Sequence, residues 1–121
     1  MESPYKGKTG LRRLINAFGY SLAGLSAAYK NEDAFRQEVR MAIVLIPLAF
    51  YLGDTGIERA IMIAAVLLVM MVELLNSSIE ATVDRISLEN HLLAKRAKDI
   101  GSAAVLVSLV NLAAVWALLL I

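Results

Sequence analysis

The apolar and polar positions of this 121-residue chain divide it into four helical segments. In residues 10–31 the apolar side chains recur every three or four positions, which is the spacing of one helical face. Residues 35–53 and 60–83 are largely apolar, and residues 100–121 carry no charged side chain. The pattern therefore predicts an all-α chain, with one amphipathic helix followed by three more apolar helices.

The three apolar helices have lengths typical of membrane spans. A helix rises about 1.5 Å per residue, so about 20 residues cross a ~30 Å hydrocarbon core. Residues 60–83 and 100–121 reach this length, and residues 35–53 do so when Arg36 and Arg40 extend toward the interface. A basic amphipathic helix ahead of such spans is typical of an element lying flat on the membrane. An ordinary core helix of a soluble protein is the less favoured alternative for that element.

Polar segments flank and separate these helices. Residues 1–9 are expected to be disordered, and residues 84–99 to form a cytoplasmic segment between the second and third spans. Basic residues concentrate in these two regions and in the amphipathic helix, whereas the turn between the first two spans has only Arg59. The positive-inside rule then predicts a cytoplasmic N-terminus and a C-terminus on the other side. Residues 1–121 are expected to form a single membrane domain.

The composition narrows the possible chemistry. Hydrophobic residues make up 59% of the chain, more than a soluble domain of this size normally carries. The net charge of +1 gives no indication of nucleic-acid binding. The chain has no cysteine, which excludes disulfides, thiolate metal sites and cysteine nucleophiles.

Two acidic residues interrupt the second predicted span. Glu73 and Glu80 are the only charged residues in positions 60–83, and a carboxylate at the bilayer centre costs about 2.5–3.5 kcal/mol even on mild insertion scales. On a helix with about 100° per residue, Asn76, Ser77 and Asp84 fall within about 60° of Glu73, as Glu80 does. A polar seam that joins helices is the alternative. Three acids on one seam repel each other, which favours a functional site.

The two glutamates differ in depth, which suggests different roles. Seven residues span about 10 Å along a helix, so Glu80 lies nearer the cytoplasm and Glu73 deeper. A shallow carboxylate is suited to a water-borne cation such as Mg²⁺, for which Glu32 offers a second carboxylate. Lys98 and Asp99 follow at the predicted cytoplasmic end of the third span, where a lysine can neutralise phosphate charge.

These residues form strings that resemble the prokaryotic diacylglycerol kinases. The longest is E-L-L-N-S-S-I-E-A-T-V-D-R at 73–85, with A-K-D-I-G-S-A-A at 97–104, F-R-Q-E at 35–38 and N-E at 31–32. The similarity covers nearly the whole chain, from about Leu14. It implies a small inner-membrane kinase with three spans and a surface helix per chain, assembled as a homotrimer. Such an enzyme transfers the γ-phosphate of MgATP to the primary hydroxyl of diacylglycerol and produces phosphatidic acid in phospholipid metabolism.

The resemblance also assigns roles to individual residues. Glu73 matches the general base, beside which Asn76 is placed to orient the base or the phosphate, and Glu32 and Glu80 match the metal-binding carboxylates. For His91 a surface histidine remains the alternative reading. The implied nucleotide contacts are Arg13, Tyr20, Glu32, Glu80, Glu89, Asn90, His91, Lys98 and Asp99. The implied lipid contacts are Arg13, Ala17, Phe18, Gly19, Tyr20, Ser21, Leu22, Ser26, Ala27, Ala28, Tyr29, Ala34, Phe35, Arg36, Gln37, Glu38, Tyr51, Leu52, Gly53, Asp54, Arg59, Glu73, Ser102 and Trp116.

Two other functions are weighed against diacylglycerol phosphorylation. Related proteins of the same family phosphorylate undecaprenol, although the F-R-Q-E string at 35–38 favours the diacylglycerol branch. Small proton-coupled multidrug transporters have a similar length and one intramembrane glutamate, but they normally have four spans and no charged nucleotide-binding loop. We also expect a site shared between subunits, on the argument that the helices of one chain cannot bury the polar stripe.

Overall fold

A computed structural model describes residues 9–86 and 91–121, and every regular element in these residues is an α-helix. The four helices are α1 (Gly10–Asn31), α2 (Asp33–Leu52), α3 (Gly56–Ile86) and α4 (Leu92–Leu120). The all-α prediction is therefore confirmed for this part of the chain. The predicted disorder of residues 1–8 and the nucleotide contacts at Glu89 and Asn90 lie outside the described residues.

The core lies along α3, which packs on α4 and on α2, whereas α1 makes fewer contacts and makes them mainly with α2. Val66 and Val69 of α3 are fully buried, and they belong to one core cluster with Ala42 of α2 and Leu112 of α4. Small residues such as Ala42 allow helix backbones to approach closely. The indole Nε1 of Trp116 donates a hydrogen bond to the Met62 carbonyl at 3.1 Å, which ties α4 to α3.

A single residue, Glu32, separates α1 from α2. Its backbone is extended (φ −117°, ψ 109°), and it is both the C-cap of α1 and the N-cap of α2. The guanidinium of Arg36 donates hydrogen bonds to the carbonyls of Tyr29 (2.7 Å) and Lys30 (2.9 Å), which lie in the last turn of α1. Arg36 also pairs with Asp33. Because Arg36 belongs to α2 and caps α1, it fixes the bend at which Glu32 lies.

The turn between α2 and α3 consists of three residues, 53–55. Thr55 Oγ1 accepts a hydrogen bond from the Glu58 backbone N–H at 3.1 Å, and Glu58 accepts one from the Asp54 N–H at 3.0 Å. These reciprocal bonds resemble a capping box and start α3. Gly53 is the C-cap of α2, and a Cβ atom there would lie 2.6 Å from Cγ of Arg59, so a larger residue would require the Arg59 side chain or the turn to shift.

Two of the helices are long and apolar enough to cross a membrane, namely α3 and α4. Many large apolar side chains are exposed on the single chain, including Leu11 (73%), Val107 (67%) and Leu118 (77%). Of the residues in α1, only Ala28 is buried, so the apolar face of α1 is largely uncovered. Exposure on this scale is not typical of a soluble monomer and agrees with a small membrane protein.

Candidate functional site

The deep part of the polar stripe on α3 is buried within one chain. Glu73 is 5% exposed and Asn76 is 7% exposed. The prediction that one chain cannot bury this stripe is therefore wrong for these two residues, because α2 and α4 pack on either side of α3. Ser77 and Glu80 are half-buried, and Asp84 is exposed at the end of the stripe.

Three other carboxylates act electrostatically on Glu73. Its charge interacts with those of Glu80 and Glu32, and with that of Glu38 on α2. Glu38 is itself buried, and its Oε2 atom accepts no hydrogen bond from the described residues. Packing thus brings together residues from three places, the junction of α1 with α2, the first part of α2, and α3. Buried acids this close require protons or cations to be stable.

Sequence reasoning places Glu38 among the lipid contacts and does not group it with the acids. Glu38 could have been recognised as an acid near the start of an apolar helix. If α2 and α3 are antiparallel neighbours, Glu38 lies at about the same depth as the polar stripe of α3. Such a match depends on the register of the two helices, which sequence periodicity does not supply.

The Asn76 amide lies between two neighbours. Its Nδ2 donates a weak hydrogen bond to Glu80 Oε1 at 3.5 Å. Its Oδ1 accepts none from the described residues and faces Gly101 of α4. The amide therefore occupies the gap between α3 and α4 beside Glu80.

A groove of about 690 Å³ lies between α1 and the polar segment of α3. Three of the predicted lipid contacts, Ser21, Ala27 and Ala28, line it, and so does Glu32 at the junction of α1 and α2. The sequence prediction omitted other lining residues, which the 3–4 residue spacing on both helices would have indicated. These are Gly24, Leu25, Asn31, Leu74, Ser77, Ser78 and Ala81.

The predicted lipid contacts do not all meet at this groove. Arg59 and Glu73 are fourteen positions apart on α3, a rise of about 21 Å. Tyr51, Leu52, Gly53 and Asp54 lie at the same end as Arg59, because they form the last residues of α2 and the turn into α3. Ser102 is exposed near the start of α4 and Trp116 is half-buried near its end. The remaining contacts lie on α1 and the start of α2, as the sequence order dictates, and include Ala17, Phe18, Gly19, Leu22, Ser26, Ala34, Phe35 and Gln37.

Ion pairs mark the end of α3 and the start of α4. Lys98 Nζ lies 2.6 Å from Asp84 Oδ1, and this hydrogen bond raises the pKa of Lys98 above its usual value. Lys95 Nζ pairs with Asp99 Oδ2 at 2.7 Å, which likewise raises the pKa of Lys95. Of the nucleotide contacts predicted here, Lys98 and Asp99 each have an ionic partner that sequence reasoning did not assign to them.

Three further predicted nucleotide contacts, Arg13, Tyr20 and His91, are exposed. Arg13 and Tyr20 lie on α1 with their side chains exposed. His91 is also exposed, and its Nδ1 accepts a hydrogen bond from the Leu93 backbone N–H at 3.1 Å. His91 is thus the N-cap of α4, a structural role that leaves its Nε2 edge available to a ligand.

The donor set fits a magnesium ion that is delivered with phosphate. The described residues hold no cluster of three or more acidic or histidine side chains that would hold a metal by themselves. Mg²⁺ usually takes one or two carboxylates and completes its shell with water and substrate phosphates. Glu32 and Glu80 are candidates for such ligands, since both carboxylates are half-buried and both act electrostatically on Glu73.

Comparisons with known proteins agree with this chemistry. Residues 19–120 match the model of the family described as "Prokaryotic diacylglycerol kinase". The chain is 59% identical over 119 residues to a diacylglycerol kinase of Pseudomonas aeruginosa, covering 98% of this chain and 97% of the relative. It is 50% identical over 112 residues to that of Escherichia coli K12, covering 93% and 92%. A Helicobacter pylori relative of the same name is 45% identical over 115 residues, covering 95% and 89%.

The matched region contains all of α2, α3 and α4 and most of α1, so it includes Glu32, Glu73, Asn76, Glu80 and Lys98. A chance resemblance confined to one motif would not extend over four helices at these identities. The arrangement of acids around α3 thus lies within a region that is similar to these enzymes throughout, and the chain belongs to the prokaryotic diacylglycerol kinase family.

Proposed function

We propose that this protein is an ATP-dependent lipid kinase, which transfers the γ-phosphate of ATP to the primary hydroxyl of diacylglycerol and releases phosphatidic acid. The observation that carries the proposal is the burial of Glu73 on α3, where the charges of Glu80 and Glu32 act on it. Family membership supplies the reaction class. No Gly-rich nucleotide loop is needed, because phosphoryl transfer depends mainly on positioning and on neutralising charge.

Glu73 is the proposed general base. Its side chain is the deepest acid of the stripe, so it can meet a hydroxyl that belongs to a lipid and cannot leave the membrane. Glu73 accepts the proton of that hydroxyl as the oxygen attacks the γ-phosphorus and the bond to ADP breaks. Asn76, one turn away, orients the base or the phosphate. A general base contributes about 10²- to 10⁴-fold to the rate of such a step.

Glu32 and Glu80 are the proposed ligands of Mg²⁺, and Lys98 is the proposed partner of the phosphates. Bound with the nucleotide, a magnesium ion supplies neutralisation of the β- and γ-phosphate charges. Lys98 lies within range of the Glu80 charge, so a phosphate held near Glu80 is also near this ammonium group. Arg13, Tyr20, His91 and Asp99, with Glu89 and Asn90, are the further proposed nucleotide contacts.

We also propose the placement in the membrane. In this arrangement α2, α3 and most of α4 span the bacterial inner membrane, α1 lies on its cytoplasmic surface, and the C-terminus is periplasmic. The exposed apolar residues of α1 support contact with lipid. The proposed lipid contacts extend from α1 to the turn near Arg59, a distance that suits a substrate whose acyl chains run along the spans.

A homotrimer with sites shared between subunits is the proposed assembly. Although Glu73 is buried within one chain, Glu80 is only half-buried and the groove beside α1 is open. In lipid, a polar group that faces outward is costly, so a second copy packed against this side of α3 would lower the free energy.

Lipid phosphorylation by the purified protein is the test. Protein in detergent or lipid receives labelled ATP and Mg²⁺, with diacylglycerol and undecaprenol supplied in separate reactions. Strong labelling of diacylglycerol with little of undecaprenol is the expected result. The reverse preference would keep the kinase chemistry and change the substrate. Labelling of neither lipid by folded protein would contradict the proposal and favour another role, such as transport.

A further inference from the structure

We propose that Gly101 of α4 is a positioning residue, which sets the orientation of the Asn76 amide and through it the position of the Glu80 carboxylate. The inference rests on the proposed kinase function, since it concerns the carboxylate assigned to the metal. It follows from three observations, namely a contact between α4 and α3, a hydrogen bond within α3, and a buried acceptor that has no hydrogen-bond partner among the described residues.

The first contact is the approach of the α4 backbone to Asn76. Gly101 is buried, and a Cβ atom added to it would overlap Asn76 Oδ1 and lie 3.3 Å from Asn76 Cγ. Asn76 is only 7% exposed, so it has little free space in which to move. Any side chain at position 101 must therefore displace the amide or separate the two helices.

The second contact is the weak hydrogen bond of Asn76 Nδ2 with Glu80 Oε1, at 3.5 Å. Only the NH₂ end of an amide can donate to a carboxylate, since the oxygen end would repel it. With Oδ1 against Gly101, the NH₂ end faces Glu80.

The third observation is that Asn76 Oδ1 accepts no hydrogen bond from the described residues. A buried carbonyl oxygen without a partner is costly, so this orientation is not explained by a bond to Oδ1. The absence of a side chain at Gly101 and the acceptor on Glu80 define it instead. Gly101 thus acts through Asn76, without contact to the reacting atoms.

The first test is the substitution Gly101→Ala, with Gly56→Ala as the matched control. A methyl group at Gly56, at the start of α3, meets no atom within 4 Å. Gly101→Ala is expected to raise the Mg²⁺ concentration for half-maximal activity by about threefold to tenfold, because Glu80 loses its donor. The KM for diacylglycerol should change by less than about twofold, since Glu80 is not assigned to the lipid. Gly56→Ala should change neither.

A second readout is independent of catalysis. The chain has five asparagines, so selective ¹⁵N labelling gives few side-chain amide signals, and Asn76→Ala identifies the one from Asn76. Gly101→Ala is expected to shift this signal and leave those of Asn16 and Asn111 in place. An unshifted Asn76 signal, or an unchanged Mg²⁺ dependence, would overturn the proposal.

A double-mutant cycle covers the case in which Gly101→Ala unfolds the protein. Asn76→Ala removes the atoms that the new methyl group would meet, so Gly101→Ala should be tolerated in that background. Recovery of the unfolding midpoint to within error of Asn76→Ala alone is the expected result. A double variant as unstable as Gly101→Ala would overturn the proposal. These measurements need no substrate, so a failure of the wild type to phosphorylate lipid would count only against the kinase function.

Discussion

At the scale of residues, this protein places acidic groups in buried positions, where charges are poorly solvated. Glu73 and Glu38 are both buried, and the charge of Glu73 also interacts with those of Glu32 and Glu80. Burial of like charges is unfavourable for folding, so their retention is better explained by chemistry than by stability. Opposite charge or bound protons must accompany this group of acids when the enzyme works.

The substitution Glu73→Gln tests the assignment of the base. It keeps the shape and removes the proton acceptor, so turnover should fall by about 10²-fold or more. The affinities for ATP and Mg²⁺ should stay nearly unchanged, because the carboxylates assigned to the metal remain. The measurement is steady-state lipid phosphorylation with titration of each co-substrate.

Glu58→Gln is the matched control for this change. Glu58 accepts a hydrogen bond from the Asp54 N–H, and a glutamine carbonyl can accept it as well. Its activity should equal that of the wild type. A Glu73→Gln enzyme that keeps more than about a tenth of wild-type turnover would refute the base assignment.

At the scale of elements, the site depends on how neighbouring helices are joined. Glu32 lies at a one-residue break between α1 and α2. Arg36 stabilises this break by hydrogen bonds to the last turn of α1. Lys98 owes its position to Asp84, which links α4 to the end of α3. Both joints bring residues that are distant along the chain to the same end of α3.

Replacement of Arg36 should loosen the first joint. Arg36→Gln removes two hydrogen bonds from a charged donor, so we expect the free energy of unfolding to fall by about 1–3 kcal/mol. The half-saturating Mg²⁺ concentration should rise, because Glu32 is no longer held. Denaturation in detergent and Mg²⁺ titration measure the two effects.

Arg40→Gln provides the comparison for this joint. Arg40 is exposed one turn further along α2, so its substitution removes the same charge from the same helix. If Arg40→Gln raised the Mg²⁺ requirement as much as Arg36→Gln, net charge would explain the effect and the role of the joint would be wrong.

Loss of Asp84 should change the alkaline limit of ATP binding. The hydrogen bond to Asp84 raises the pKa of Lys98, so the ammonium group persists to a higher pH in the folded protein. Because the folded-state pKa is raised, the benefit of this pair is full below the unfolded pKa and is lost as pH rises through the folded value. Asp84→Asn should therefore make KM for ATP rise at a lower alkaline pH than in the wild type. Identical profiles of KM against pH, from about 8 to 10.5, would contradict this assignment.

At the scale of the whole molecule, the exposed apolar surface of one chain requires further partners. The outer faces of α1, α3 and α4 carry large apolar side chains that lipid or other copies of the chain must cover. Lipid covers such faces without specific contacts, whereas the half-buried Glu80 requires a polar partner. This difference separates the part of the surface expected to face lipid from the part expected to face a second subunit.

Mixed oligomers test whether the site is shared. Glu73→Gln and Glu80→Gln subunits, each inactive alone, are unfolded together at equal amounts and reconstituted. If one site combines Glu73 of one copy with Glu80 of the next, random assembly restores about a quarter of wild-type activity. Wild-type protein carried through the same procedure gives the reference activity. No recovery in correctly assembled oligomers would mean that each subunit holds a complete site.

The sequence by itself determined the features that depend on local pattern. Helical periodicity predicts the four elements, because side-chain spacing along a helix is fixed by its geometry. The same geometry places Glu73, Asn76 and Glu80 on one side of α3 without knowledge of any neighbour. The strings at 35–38, 73–85 and 97–104 were sufficient to predict the family, since they contain the residues to which the reaction is assigned.

Only the tertiary structure decided which faces of the helices meet. The burial of Glu73 within one chain, the approach of Glu38, and the contact of Gly101 with Asn76 all depend on the register between helices. That register results from the packing of residues such as Val66 and Leu112, which lie far apart in sequence. Periodicity constrains each helix separately, whereas the distance between two helices depends on the size and shape of every side chain at their interface.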